Sequence, residues 1–165
     1  MYYLNVFLLF SIFGHLFETV YFFIISAEHN SGFMYLWWTP IYGIGTLLTW
    51  LIYKMVSKYV DNKVIRNIIL FVIYLVGFSI LEFIGGHLLE FIYDQYFWNY
   101  YKYPLNIGRY VSLFISLIWT ILAFTYIYFL KKYTDRFINK IPSFITISLL
   151  VIFIIDLILS LLKVL

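Results

Sequence analysis

The sequence predicts an all-α protein: a polytopic bundle of about five membrane-crossing helices, N-terminus inside, forming a single membrane domain over residues 1–165. Three observations carry this expectation. Hydrophobic residues make up 64% of the chain and charged residues only 12%, with mean hydropathy +0.94, where soluble domains run near half apolar and a quarter charged. The apolar residues fall in runs long enough for a helix to cross roughly 30 Å of hydrocarbon. Lys and Arg gather in two of the connections between those runs, the bias that orients membrane proteins. The chain has no cysteine, which excludes a disulfide framework and thiolate chemistry. Its net charge is a small +3, and the basic residues sit in the connections, so membrane topology accounts for them without a nucleic-acid partner.

The first run covers about residues 2–26. It is expected to be a span rather than a signal peptide, because no basic region leads it and it carries Glu18. The second, about 34–55, opens with Trp37 and Trp38 as interfacial anchors. Pro40, Gly43 and Gly45 then predict a break in its helix, with Gly32 just upstream. Broken backbone is tolerated at membrane depth where neighbouring helices or a wet cavity satisfy it. A basic loop with Lys54, Lys58, Lys63 and Arg66 leads to the third run, about 69–97. The fourth covers about 110–130. A second basic loop, with Lys131, Lys132, Arg136 and Lys140, precedes the fifth, about 144–162. Placing both basic loops in the cytoplasm puts the N-terminus inside and the C-terminus outside. Asp156 is the one notable polar group of the fifth run, which is expected to be peripheral.

Glu18, Glu82 and Glu90 lie within apolar runs. Carboxylates in hydrocarbon are costly, which makes them the candidate site. On an ideal wheel Glu82, His87 and Glu90 fall within about 140° of arc. The functional reading is a shared acidic cavity that binds a cation, a basic group or protons. The structural reading is neutral acids hydrogen-bonded to Tyr, Trp or backbone, since burial favours the neutral form. Arg109 is placed to pair with Glu18 or Glu90, which would weaken a cation site. His15 and His87 each stand three residues before a Glu and are the candidate metal ligands. Interhelical hydrogen bonding is preferred for both, and no metal or cofactor is expected.

Gly14-His15-Leu16-Phe17-Glu18 matches Gly86-His87-Leu88-Leu89-Glu90, and Asn30-Ser31-Gly32-Phe33 is similar to Asn106-Ile107-Gly108-Arg109. The two matches predict a parallel internal repeat of two helical hairpins, with halves at about 10–56 and 82–130.

Asn30 to Tyr35 followed by Pro40-Ile41-Tyr42-Gly43-Ile44-Gly45 resembles a stretch of a bacterial membrane-protein family, the type IV ABC transporters of CmpB type. Leu81-Glu82-Phe83, Gly86 to Glu90, Trp98 to Tyr101, Pro104-Leu105-Asn106 and Ser116 to Trp119 follow in the family's order. The match spans roughly residues 10 to 125. The resemblance implies a multi-pass protein of the cytoplasmic membrane and adds Tyr42, Asn30, Asn106 and Trp98 to the candidate binding residues. The family's usual Trp is replaced by His15 and His87, and Asn99 replaces an Asp. No nucleotide-binding P-loop is present, so an ATPase would be a separate subunit. At 165 residues the chain is small for a transporter, so a homo-oligomer or a partner subunit is expected. The leading expectation is a permease-like transport component for a small cationic or basic solute. Its rivals are an intramembrane enzyme using Glu and His, and a non-catalytic scaffold subunit.

Overall fold

The computed structural model describes residues 1–24 and 33–163. The expected sites Asn30 and Gly32, and the end of the first run, lie outside the described residues. The regular elements of the described chain are helices and one small hairpin: α1 (Tyr2–Ile24), α2 (Pro40–Tyr59), α3 (Lys63–Tyr93), β1 (Asn106–Ile107), β2 (Val111–Ser112), α4 (Leu113–Thr125), α5 (Lys131–Ile138) and α6 (Ser143–Leu162). A π-helical turn, Tyr126–Leu130, joins α4 to α5 without a break. Four of these stretches are long and apolar enough to cross a membrane: Tyr2–Tyr21, Lys63–Tyr93, Leu113–Ile138 and Ser143–Leu162. The second expected run forms α2, whose 20 residues include Lys54 and Lys58. The chain divides into two compact units, one of residues 1–47 and 132–165, the other of residues 48–131.

The first unit is built on α1 and α6. Leu8, Met34, Trp38 and Phe153 form its core, with Phe7 set edge-on against Phe153 at 5.2 Å. Thr146 of α6 donates to the side chain of Asn5 at 2.6 Å, and both residues are buried. The fifth run is therefore integral to this unit rather than peripheral. Residues 33–39 are irregular and Pro40 is the first residue of α2. Pro favours that position because its missing N–H is one no helical partner would satisfy. The expected break thus lies before Pro40, and the helix runs uninterrupted through Gly43 and Gly45. Gly43 serves contact instead: a Cβ there would meet the Phe7 carbonyl and the Ser11 hydroxyl, each at 2.5 Å.

The second unit packs α3 against α4 and the end of α2. α3 starts six residues before the expected 69, because the Asn62 side chain caps the backbone N–H groups of Val64 and Ile65. It ends at Tyr93, where Asp94 adopts a left-handed conformation. Two stripes of residues four apart run along it. Leu70, Tyr74, Phe78, Glu82 and Gly86 are buried, while Val72, Val76, Ile80, Ile84 and Leu88 are more than half exposed. A continuous exposed aliphatic stripe is what lipid contact requires. The buried stripe carries the polar and small residues. Tyr74 donates to the Thr49 carbonyl at 2.9 Å, and Ser79 and Ser116 share a 2.8 Å hydrogen bond between α3 and α4. Between the two helices, Asn106 pairs with Ser112 and Ile107 with Val111 in the hairpin, turned at Gly108 with φ of 66°. The second basic loop is also shorter than expected: Lys131, Lys132 and Arg136 belong to α5, which extends to Ile138.

Candidate functional site

Glu82 is the most deeply placed of the expected acids, only 3% exposed. It projects from the buried stripe of α3 between Phe78 and Gly86. Its Oε1 accepts from the Tyr100 hydroxyl at 2.9 Å and from the Trp119 indole N–H at 3.0 Å. Oε2 is buried and has no hydrogen-bond partner among the described residues. Tyr100 is held in turn by its N–H bond to the Arg109 carbonyl at 2.7 Å. Of the two sequence readings of the acids, Glu82 has the Tyr and Trp donors of the structural one. It also keeps an oxygen that those donors leave unused.

Glu90 sits two turns along α3, at the edge of the unit. Arg109 Nη1 donates to its Oε1 at 2.7 Å, and His87 Nδ1 lies 3.8 Å from its Oε2. The Arg109 pairing weighs against Glu90 as a free cation site. The hairpin turn presents Arg109, and it presents Tyr110 to α3. A Cβ on Gly86 would overlap the Tyr110 ring. The ring is held on its other side by Trp98, whose N–H donates to the Tyr110 carbonyl at 3.3 Å. Burial pushes the pKa of the Tyr110 hydroxyl up, Glu90 adds to the rise, and Arg109 opposes it. Asn106 is exposed, and its amide donates to the Gly108 carbonyl at 3.1 Å, closing the turn.

In the first unit the Tyr42 hydroxyl donates to the Glu18 carboxyl. A Cβ on Gly14 would overlap the Tyr42 ring. Glu18 belongs to this unit and Glu82 and Glu90 to the other. His15 is buried here, while His87 stacks edge-on against Phe83 and Tyr110. Among the described residues no group of three or more His, Cys, Asp or Glu is placed to hold a metal ion.

Asp156 proves more than an isolated acid. It is 2% exposed, and its two oxygens accept from the backbone N–H groups of Tyr35 at 3.2 Å and Leu36 at 3.1 Å. These donors lie in the irregular segment, where no helical carbonyl would satisfy them. Sequence reasoning did not single out Trp119, Tyr100, Tyr96 or Tyr101 as site residues. Trp119 had a signal: an indole inside an apolar run, away from the interface, needs a buried acceptor.

A family model described as "Putative ABC-transporter type IV" matches residues 5–161. The match extends beyond the expected 10 to 125 and takes in α6. No curated protein and no solved structure matches the chain.

Proposed function

Since the chain belongs to the family described as putative ABC-transporter type IV, we propose that it is a permease-like subunit of the cytoplasmic membrane that passes a small cationic or basic solute. The single observation that carries this reading is Glu82. A carboxyl within an apolar span, with one oxygen engaged and the other buried and unclaimed among the described residues, is a costly arrangement. Such an oxygen is a natural acceptor for a transient ammonium or proton. Tyr100 and Trp119 fix the carboxyl's orientation and leave Oε2 to the solute. Glu18, hydrogen-bonded to Tyr42, contributes a second acid to the same protein.

In this reading α2 is the fifth crossing, the N-terminus is inside and the C-terminus outside. The basic residues of the 54–66 and 131–140 stretches favour that orientation. The sequence has no P-loop, so in this reading any ATPase is a separate subunit, and the chain works as an oligomer or with such a partner. The internal repeat remains part of the proposal. It is supported by a shared arrangement: Gly14 lies against Tyr42 four residues before Glu18, and Gly86 lies against Tyr110 four residues before Glu90. The residue before the tyrosine differs, Ile41 in one half and Arg109 in the other.

Glu82→Gln tests the reading. The amide oxygen still accepts from Tyr100 and Trp119, so the fold is retained while the charge and proton site are removed. Purified protein in proteoliposomes, with any partner subunit that co-purifies, is assayed for uptake of a panel of small amines and alkali cations. Uptake is expected to fall at least about tenfold, the loss of one charge-assisted bond. Wild-type rates in the variant would overturn the proposal.

A further inference from the structure

The guanidinium of Arg109 is surrounded by aromatic rings. Its Cζ lies 4.6 Å from the centroid of Tyr96, 5.8 Å from Tyr101 and 6.0 Å from Tyr110. Glu90 supplies a carboxylate at 2.7 Å. Three phenol faces and one carboxylate around a single positive group make the composition of a cation receptor, since ring quadrupoles attract cations within about 6 Å. All four walls belong to the second unit, on α3, on the 94–105 connection and next to the hairpin turn.

The resident cation fits this receptor imperfectly. Arg109 makes one hydrogen bond to Glu90, through Nη1, where a guanidinium and a carboxylate can make two parallel ones. Its Nε is buried without a hydrogen-bond partner among the described residues. Arg109 is tethered to the hairpin turn between Ile107 and Val111, and its fork meets the carboxylate through Nη1 alone. The pair is also open to solvent, with Glu90 38% and Arg109 30% exposed, and such pairs hold weakly. Tyr96 and Tyr101 are each more than half exposed, so the cage has an open side.

We propose that Glu90, Tyr96, Tyr101 and Tyr110 form a binding site for a guanidinium or methylated ammonium group, and that Arg109 is its tethered occupant, displaced when a free cation binds. A free guanidinium would present both N–H groups to Glu90, and a methylated ammonium would gain contact with all three rings. The ligand class is that of the proposed solute, and the role in passage rests on that reading. The binding site itself does not.

The test measures binding, not transport. Purified full-length wild type, Arg109→Ala and Arg109→Ala with Glu90→Gln are titrated with methylguanidinium chloride and with tetramethylammonium chloride, each against sodium chloride at equal ionic strength. Calorimetry and thermal unfolding are the readouts. Arg109→Ala is expected to bind both cations saturably and to regain thermal stability as it does. Wild type should bind about tenfold more weakly, because its site is open only for the fraction of time Arg109 is out. The added Glu90→Gln should abolish methylguanidinium binding. A folded Arg109→Ala that binds neither cation overturns the proposal, as does equal binding by wild type and variant. Should Arg109→Ala fail to fold, Arg109→Gln, which keeps a donor for Glu90, is judged by the same criteria. Glu82→Gln leaves this binding intact, so failure here and failure of the transport reading are separate results.

Discussion

Replacing Asp156 tests whether one side chain on α6 holds the irregular segment before α2. In wild type its two oxygens accept from Tyr35 N–H and Leu36 N–H, and the carboxyl is 2% exposed. Asp156→Ala leaves two backbone donors without acceptors, each costing about 1–3 kcal/mol when buried. Side-chain hydrogen bonds within membrane proteins average lower, near 0.6 and up to about 1.7 kcal/mol, because alternatives are found in the apolar surroundings. Here the donors are main-chain groups in a non-helical stretch, so a replacement acceptor is scarce. The expected loss is about 2–4 kcal/mol for the pair. Asp156→Asn keeps one acceptor and turns an NH2 toward the other donor, so it should lose roughly half as much. Hydrogen exchange followed by mass spectrometry reads this directly. Protection of Tyr35 and Leu36 should fall about 30- to 1,000-fold in the Ala variant and about 5- to 30-fold in the Asn variant. Wild-type exchange at these amides in Asp156→Ala would refute the reasoning.

Two further outcomes follow from the structure. Gly86→Ala drives a methyl into the Tyr110 ring near its Cβ, a place that cannot swing aside cheaply, and should cost about 1–3 kcal/mol in detergent unfolding. Gly77→Ala, with nothing within 4 Å of the added methyl, should be neutral or stabilise by about 0.5–1 kcal/mol; equal effects at both glycines would contradict the packing. Because the chain lacks cysteine, Lys102→Cys and Lys140→Cys can be labelled without background in intact cells. An impermeant maleimide should modify position 102 and not 140, and the reverse pattern would invert the topology.

Much of the fold is legible in the chain. The third run reads as a helix because its apolar length leaves a membrane span little choice, and α3 indeed covers Lys63–Tyr93. The start at Asn62 was missed because local capping chemistry outweighs hydropathy at a helix end. Pro40 was misplaced for a related reason: proline signals an interruption or a helix start with the same residue. An ion pair of Arg109 with Glu18 or Glu90 could be named in advance, since few cations lie near those acids, and the structure pairs it with Glu90. Its aromatic surroundings could not, because Tyr96 and Tyr101 look like ordinary interfacial tyrosines in a chain with 17 of them.

Composition and run length alone determine that this is a helical membrane protein with costly carboxyls inside it. Which partners meet the inward face of each helix is a different matter. On α3 Glu82 marks the stripe from Leu70 to Gly86 as the one to turn away from lipid, and the aliphatic stripe from Val72 to Leu88 as the one lipid accepts, but neither names the groups that face Glu82. Tertiary contacts decided it, bringing Tyr100 and Trp119 to Glu82 from 18 and 37 residues away. They also brought Asp156 to Tyr35 across 121 residues. Hydropathy carries no information about such partners, because a hydrogen bond is directional and the apolar force that folds the chain is not.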